Sequence, residues 1–249
     1  MPGRMRRASE SGFHHVVTKG NADQIIFEDE IDRKAYVELL RRATERDGLA
    51  ICAWCLMANH VHLVVEDPEG RLSSGMWFVN HGYSKYFNER AGRSGHLFKE
   101  RFWSEPIEDD GYLLRAVRYV HQNPQVAGVC AQQDYSWSSY HEYIGSPDVA
   151  DTSLVLEMLG DVEGFREFAE ERMEASPFPG SSLRGHLRYD ELVLLARAAA
   201  GVDDLAELSR MGVDERRRAL ASLRDAGMTI TQMARLTGLG RSSVYFALE

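Results

Sequence analysis

Leu49-Ala-Ile-Cys-Ala-Trp-Cys-Leu-Met-Ala-Asn-His-Val-His-Leu-Val-Val-Glu66 is the stretch whose reading decides the fold. Two apolar runs, residues 49–57 and 61–66, flank the Ala58-Asn59 turn and are closed off by Pro68 and Gly70, which predicts a β-hairpin. Working back from it, residues 31–46 carry Ile31, Ala35, Leu39 and Ala43 at helical spacing, with Asp29 or Glu30 in the start position and Gly48 at the end. Before that helix, residues 13–18 read as a strand that stops at Lys19-Gly20-Asn21. Forward of the hairpin, Met76, Val79, Tyr83 and Phe87 form the stripe of a helix over residues 72–90, broken by Ala91-Gly-Arg-Ser-Gly95. A strand follows at about residues 102–107, then a helix capped by Asp109 or Asp110 that runs to Gln122 and is stopped by Pro124 and Gly128.

The order strand–helix–strand–strand–helix–strand predicts an α+β protein with a ferredoxin-like, split βαβ antiparallel sheet and one extra helix. This first domain is expected over residues 1–145. Residues 146–185, with Ser146-Pro-Asp148 and Ser176-Pro-Phe-Pro-Gly-Ser-Ser182 as loops, read as an acidic helical linker region, and residues 186–249 as a small all-α domain.

A net charge of −9 argues at first against a polyanionic partner, yet the charge is unevenly spread. Residues 1–130 hold 17 basic and 18 acidic side chains, residues 131–212 hold 6 and 16, and residues 213–249 hold 6 and 4. The acidity therefore sits in the middle. Between Arg71 and Arg101, six basic side chains face only Glu89 and Glu100, a local excess suited to phosphates. The first ten residues lack a signal peptide's apolar stretch, no apolar run approaches the roughly 20 residues of a membrane span, and Cys52, Cys55 and Cys130 form no even framework. The expectation is a cytoplasmic chain with free thiols and no membrane partner.

Alternation on a strand projects His60 and His62 from one face, a geometry that suits a metal-ligand pair; exposed or core-edge histidines have the same spacing. On the third helix Arg115, Tyr119 and Asn123 recur every four residues, so a guanidinium, a phenol and an amide share a face, either for chemistry or as the polar side of a packed helix. Cys52 and Cys55 do not read as a zinc site, because positions three apart on a strand face opposite sides and no second pair exists. His14 and His15 stay unassigned, since only one of them can share the face of His60 and His62. The loop Gly92-Arg-Ser-Gly-His-Leu-Phe-Lys-Glu-Arg-Phe102 interleaves basic and aromatic residues, offering Arg93, Lys99 and Arg101 to a nucleic-acid strand, or else it is a solvated loop anchored by Leu97 and Phe98. Residues 229–248 look like a helix-turn-helix. Ile230, Met233, Ala234, Leu236, Leu239, Val244 and Leu248 supply packing positions, Gly238 the turn, and Arg241, Ser242 and Ser243 the opening of a helix able to reach duplex DNA.

Over about residues 10–145 the sequence resembles the REP-associated tyrosine transposases, single-tyrosine HUH enzymes. The resemblance is carried by His15-Val-Val-Thr-Lys-Gly-Asn21, Cys55-Leu-Met-Ala-Asn-His-Val-His-Leu-Val-Val-Glu66, Gly95-His-Leu-Phe-Lys-Glu-Arg-Phe102, Arg118-Tyr-Val-His-Gln-Asn-Pro124 and Trp137-Ser-Ser-Tyr140. It implies that His60 and His62 ligate Mg²⁺ or Mn²⁺, that Asn123 supplies an amide ligand, and that Tyr119 attacks a phosphate of single-stranded or hairpin DNA to give a 5′-phosphotyrosine. It also implies a bacterial protein, nucleoid-associated when on DNA. Two departures stand out: Ala58 where the family usually has proline, and Gln122 where it has an apolar residue, which leaves Gln122 a rival to Asn123. The alternative to a transposase is a domesticated DNA-binding regulator that has lost the reaction.

Overall fold

Asp29 begins the ordering of the first layer: its side chain accepts from the Ile31 and Asp32 amides and caps α1 (Glu30–Asp47). Gly48, at φ 65°, ends the helix in the left-handed conformation that favours glycine. In this computed structural model the described residues are 9–171, 173, 189–202, 204–226, 228 and 230–248. They form two compact units, Met1–Gly185 and His186–Glu249 by chain range.

The first unit is built on a four-stranded antiparallel sheet in the order β2-β3-β1-β4, with β1 (Phe13–Lys19), β2 (Ala50–Met57), β3 (His60–Glu66) and β4 (Trp103–Ile107). With α1 and α2 (Leu72–Arg90) as the crossovers, the chain makes two interleaved strand–helix–strand units. One sheet face packs Val16, Leu56, Val61, Leu63 and Val65 against Tyr36 and Leu40 of α1 and Met76, Val79 and Tyr83 of α2. Close helix approach is part of that packing: a Cβ on Gly75 would lie 2.4 Å from Leu49 Cδ1. The opposite face packs Ala53, Cys55, Met57 and Val64 against Leu113, Ala116, Val117 and Val120 of α3 (Asp110–Val126). Asp109 caps α3 by accepting from the Tyr112 amide.

Three expectations are corrected here. Pro124 does not stop α3, which continues to Val126. Proline removes only the bond to the Val120 carbonyl, and the final turn is closed by Ala127 N–H to Asn123 O at 2.8 Å and Val129 N–H to Pro124 O at 2.9 Å. The segment read as an acidic linker is helical in α5 (Ser153–Leu159) and α6 (Val162–Glu170), and Val155, Phe165 and Ala169 are buried in the α3-facing core. Its acidic residues form a solvated side over an apolar one, so up to Ala169 it belongs to the first unit's core; residues 174–185, with the predicted loop at 176–182, lie outside the described residues. Finally, a β-bulge between Ile51 and Ala53 resets the alternation of β2, so Cys52 and Cys55 share the α3-facing core instead of facing opposite sides.

β2 lies at the sheet edge, and residues 135–151, including α4 (Tyr140–Ile144), cover it. Leu56 N–H bonds Trp137 O at 2.9 Å, Ser139 N–H bonds Trp54 O at 2.9 Å, and the hydroxyls of Tyr135 and Tyr143 donate to Leu56 O and Cys52 O at 2.7 Å each. The buried Glu142 carboxylate accepts from the Trp54 indole and from the amides of Asp148, Val149 and Ala150. Trp137-Ser-Ser-Tyr140 thus closes an otherwise unpaired strand edge.

The second unit contains α7 (Tyr189–Ala200), α8 (Val213–Asp225), α9 (Ile230–Thr237) and α10 (Arg241–Leu248). Met233, Ala234 and Val244 are buried with Leu220 and Leu223 of α8, and Ile230, Leu236, Leu239 and Leu248 pack on them. Gly238, at φ 71°, lies in the three-residue connection between α9 and α10.

Candidate functional site

The antiparallel register assigns the histidines that the sequence left open. Val17 pairs with His62 and Lys19 with His60, so β1 presents Phe13, His15, Val17 and Lys19 on the face of His60 and His62, while His14 falls on the other. His15 is the residue the sequence reading missed. Strand parity alone said that one of His14 and His15 belonged to this face, and only the pairing register says which.

The three imidazoles are buried on the α3 side of the sheet: His15 is 0 % exposed, His62 2 % and His60 5 %. His15 Nε2 lies 3.0 Å from His62 Nδ1, with the two rings nearly coplanar at 5°. His60 Nδ1 lies 2.7 Å from Asn59 Oδ1. A carbonyl oxygen can only accept, so His60 carries its proton on Nδ1 and presents a lone pair at Nε2. His62 Nε2 is buried without a hydrogen-bond partner among the described residues. Burial, then the neighbouring His60 and His15, hold the His62 pKa well below the ordinary value, and burial lowers that of His15 to about 3, so both rings are neutral at pH 7.

Tyr119 arrives from α3. Its ring meets His62 and His15 edge-on, with centroids 5.5 and 5.8 Å apart, and Trp103 of β4 meets His15 at 5.5 Å. Asn123, one turn on, donates from Nδ2 to the Tyr119 carbonyl at 2.7 Å, which directs its amide oxygen away from the helix backbone. Gln122 is engaged elsewhere: Nε2 donates to Ala169 O and Glu171 O, and Oε1 accepts from Met173 N–H. Its amide ties α3 to the end of α6, whereas Asn123 shares the Tyr119 side of the helix.

The basic residues are spread around this centre. Arg115 is exposed and lies over the Tyr112 ring at 5.7 Å; Lys99 and Arg101 are exposed. Arg93 is half-buried, donates to Gln24 Oε1 at 2.8 Å and covers Phe87, so it braces its loop as well as carrying charge. That loop is anchored by buried Leu97 and by Lys99 N–H to Lys19 O at 2.9 Å. In the second unit Ser242 and Ser243 are exposed at the start of α10, while the side chain of Arg241 lies outside the described residues. Among the described residues no group of three or more His, Cys, Asp or Glu side chains forms a candidate metal site, Cys52 and Cys55 included. No helix among them is long and apolar enough to cross a membrane.

A four-stranded antiparallel sheet that buries paired histidines beneath a helix-borne tyrosine places the first unit in an α+β class whose polar centre lies inside the sheet–helix interface. Residues 9–123 match the model of the IS200-like transposase family. Among solved structures, one described as a REP-associated tyrosine transposase bound to a REP hairpin is 20% identical, with a TM-score of 0.47, covering 70% of this chain and 99% of that one. A Deinococcus radiodurans R1 protein described as a candidate transposase is 12% identical, with a TM-score of 0.34, covering 52% and 98%. A search of curated proteins finds no match.

Proposed function

We propose that this chain is a metal-dependent transposase or DNA strand-transferase, with a ferredoxin-like catalytic domain, that cleaves and rejoins single-stranded or hairpin DNA through Tyr119. The observation that carries this reading is the edge-on contact of Tyr119 with His62 and His15, which brings a phenol to a buried pair of neutral imidazoles. The match of residues 9–123 to the IS200-like transposase model supports strand cleavage and rejoining as the reaction.

His60, His62 and Asn123 would hold the divalent cation, Mg²⁺ or Mn²⁺. The orphaned His62 Nε2 and the lone pair fixed on His60 fit such an ion, and two imidazoles suit Mn²⁺ better than Mg²⁺. When bound, the ion would neutralise and orient the scissile phosphate. Tyr119 Oη forms a bond to phosphorus as the bond to the 3′ oxygen breaks; the phenol loses its proton and the departing oxygen gains one. The products are a 5′-phosphotyrosine and a free 3′-OH, whose reverse attack rejoins a strand. Gln122, with its whole amide in use, holds α3 in place, and Asn123 is the ligand.

Arg93, Lys99, Arg101 and Arg115 would contact the strand's phosphates. In the second unit α9 and α10 would act as a helix-turn-helix, with Arg241, Ser242 and Ser243 meeting duplex DNA. Incubating the protein with Mn²⁺ and labelled hairpins from its own genomic neighbourhood tests the reading. A covalent adduct that survives denaturing electrophoresis supports it, and no adduct across a broad hairpin set replaces it with a DNA-binding regulator.

A further inference from the structure

Two of the site's imidazoles have a fixed neighbour at Nδ1, of different kinds. His60 faces Asn59 Oδ1, which can only accept, so its protonation is decided. His62 faces His15 Nε2 at 3.0 Å, a ring nitrogen able either to donate or to accept. If His15 donated, His62 would carry its proton on Nε2 and turn an N–H toward the site. If His15 accepts, His62 carries its proton on Nδ1 and Nε2 presents a lone pair. Each arrangement leaves the pair's second N–H pointing away from the shared bond, at His62 Nε2 in the first and at His15 Nδ1 in the second, so burial alone does not choose; only the second offers the buried His62 Nε2 lone pair to a cation.

We propose that His15 is a positioning residue: accepting the Nδ1 proton of His62, it holds that ring in the tautomer whose Nε2 lone pair takes a divalent cation. His15 then carries its own proton on Nδ1. Its burial between Trp103, Tyr119 and His62 fixes its ring plane, so the hydrogen bond sets the orientation of His62 as well as its tautomer. The role rests on the metal-site assignment proposed above. Glutamine at position 15 keeps an acceptor at about the distance of Nε2, whereas leucine keeps the volume and removes it.

The test uses the full-length, metal-free protein with ¹⁵N-labelled histidine, followed by Mn²⁺ titration monitored by electron paramagnetic resonance. The expected result is a His62 Nδ1–H tautomer in the wild type. Mn²⁺ affinity should fall roughly 10- to 100-fold in His15→Leu, stay within a few-fold in His15→Gln, and be lost in His62→Ala. Unchanged Mn²⁺ affinity in His15→Leu together with loss in His62→Ala overturns the role of His15 and leaves the metal site standing. Unchanged affinity in His62→Ala overturns the metal site and this inference with it. Should His15→Leu fail to fold, an Nε2–H tautomer of His62 in the wild type, or a His15→Gln affinity as low as that of His62→Ala, overturns the proposal.

Discussion

The two faces of the sheet have been given different materials. Toward α1 and α2 the sheet is mainly apolar, with Tyr83 donating to Ile26 O and Tyr36 to Asn80 Oδ1 at 3.2 Å, and it buries a single imidazole, His14. Toward α3 the same strands bury three histidines beside a tyrosine, and His62 Nε2 has no partner among the described residues. An unpartnered buried polar atom costs about 1–3 kcal/mol, and a methyl group there would avoid that cost. His14 Nδ1 on the α1/α2 side carries the same cost, so the faces differ in clustering: one buries a lone imidazole, the other gathers three beside a tyrosine, as expected of a site that binds something.

That contrast can be broken at several points. The largest expected effect is Tyr119→Phe, which should abolish covalent adduct formation while leaving hairpin affinity within a few-fold in a gel-shift assay, because only the attacking oxygen is lost. Next is Leu40→Ala on the α1 side, 1 % exposed: it should cost about 2–5 kcal/mol in chemical denaturation and leave adduct formation intact at low temperature. Third is acid. His15 and His121 have pKa values lowered by burial to about 3, so the unfolded chain takes up their protons first. Stability should fall as pH drops below about 6.5, by roughly 2 kcal/mol per histidine between pH 7 and 5, levelling off near pH 3. His121→Gln, which removes an imidazole bonded to Ser139 Oγ outside the site, should flatten that dependence without changing metal affinity. The smallest is Asp109→Ala at the α3 cap, expected to cost about 1 kcal/mol in thermal unfolding.

Much of the first unit was legible in the sequence because its signals are local. The stripe Met76, Val79, Tyr83 and Phe87 bounds α2 at the predicted residues, and the Ala58-Asn59 turn places the hairpin. What escaped depends on partners distant in the chain. Assigning His15 over His14 requires the β1–β3 register, and placing Cys52 requires a bulge that no residue pattern announces. What sets Gln122 apart from Asn123, its bonds to the carbonyls of Ala169 and Glu171, comes from a segment whose acidity disguised three buried apolar positions. Pro124 misled for another reason: proline is disruptive inside a helix but tolerated in a last turn whose other carbonyls find donors.

The most direct measurement is mass spectrometry of the adduct after exhaustive nuclease digestion. The account predicts a 5′-phosphonucleotide carried by the peptide containing Tyr119, at the tyrosine oxygen. A phosphonucleotide on any other residue, with Tyr119 unmodified, would contradict it.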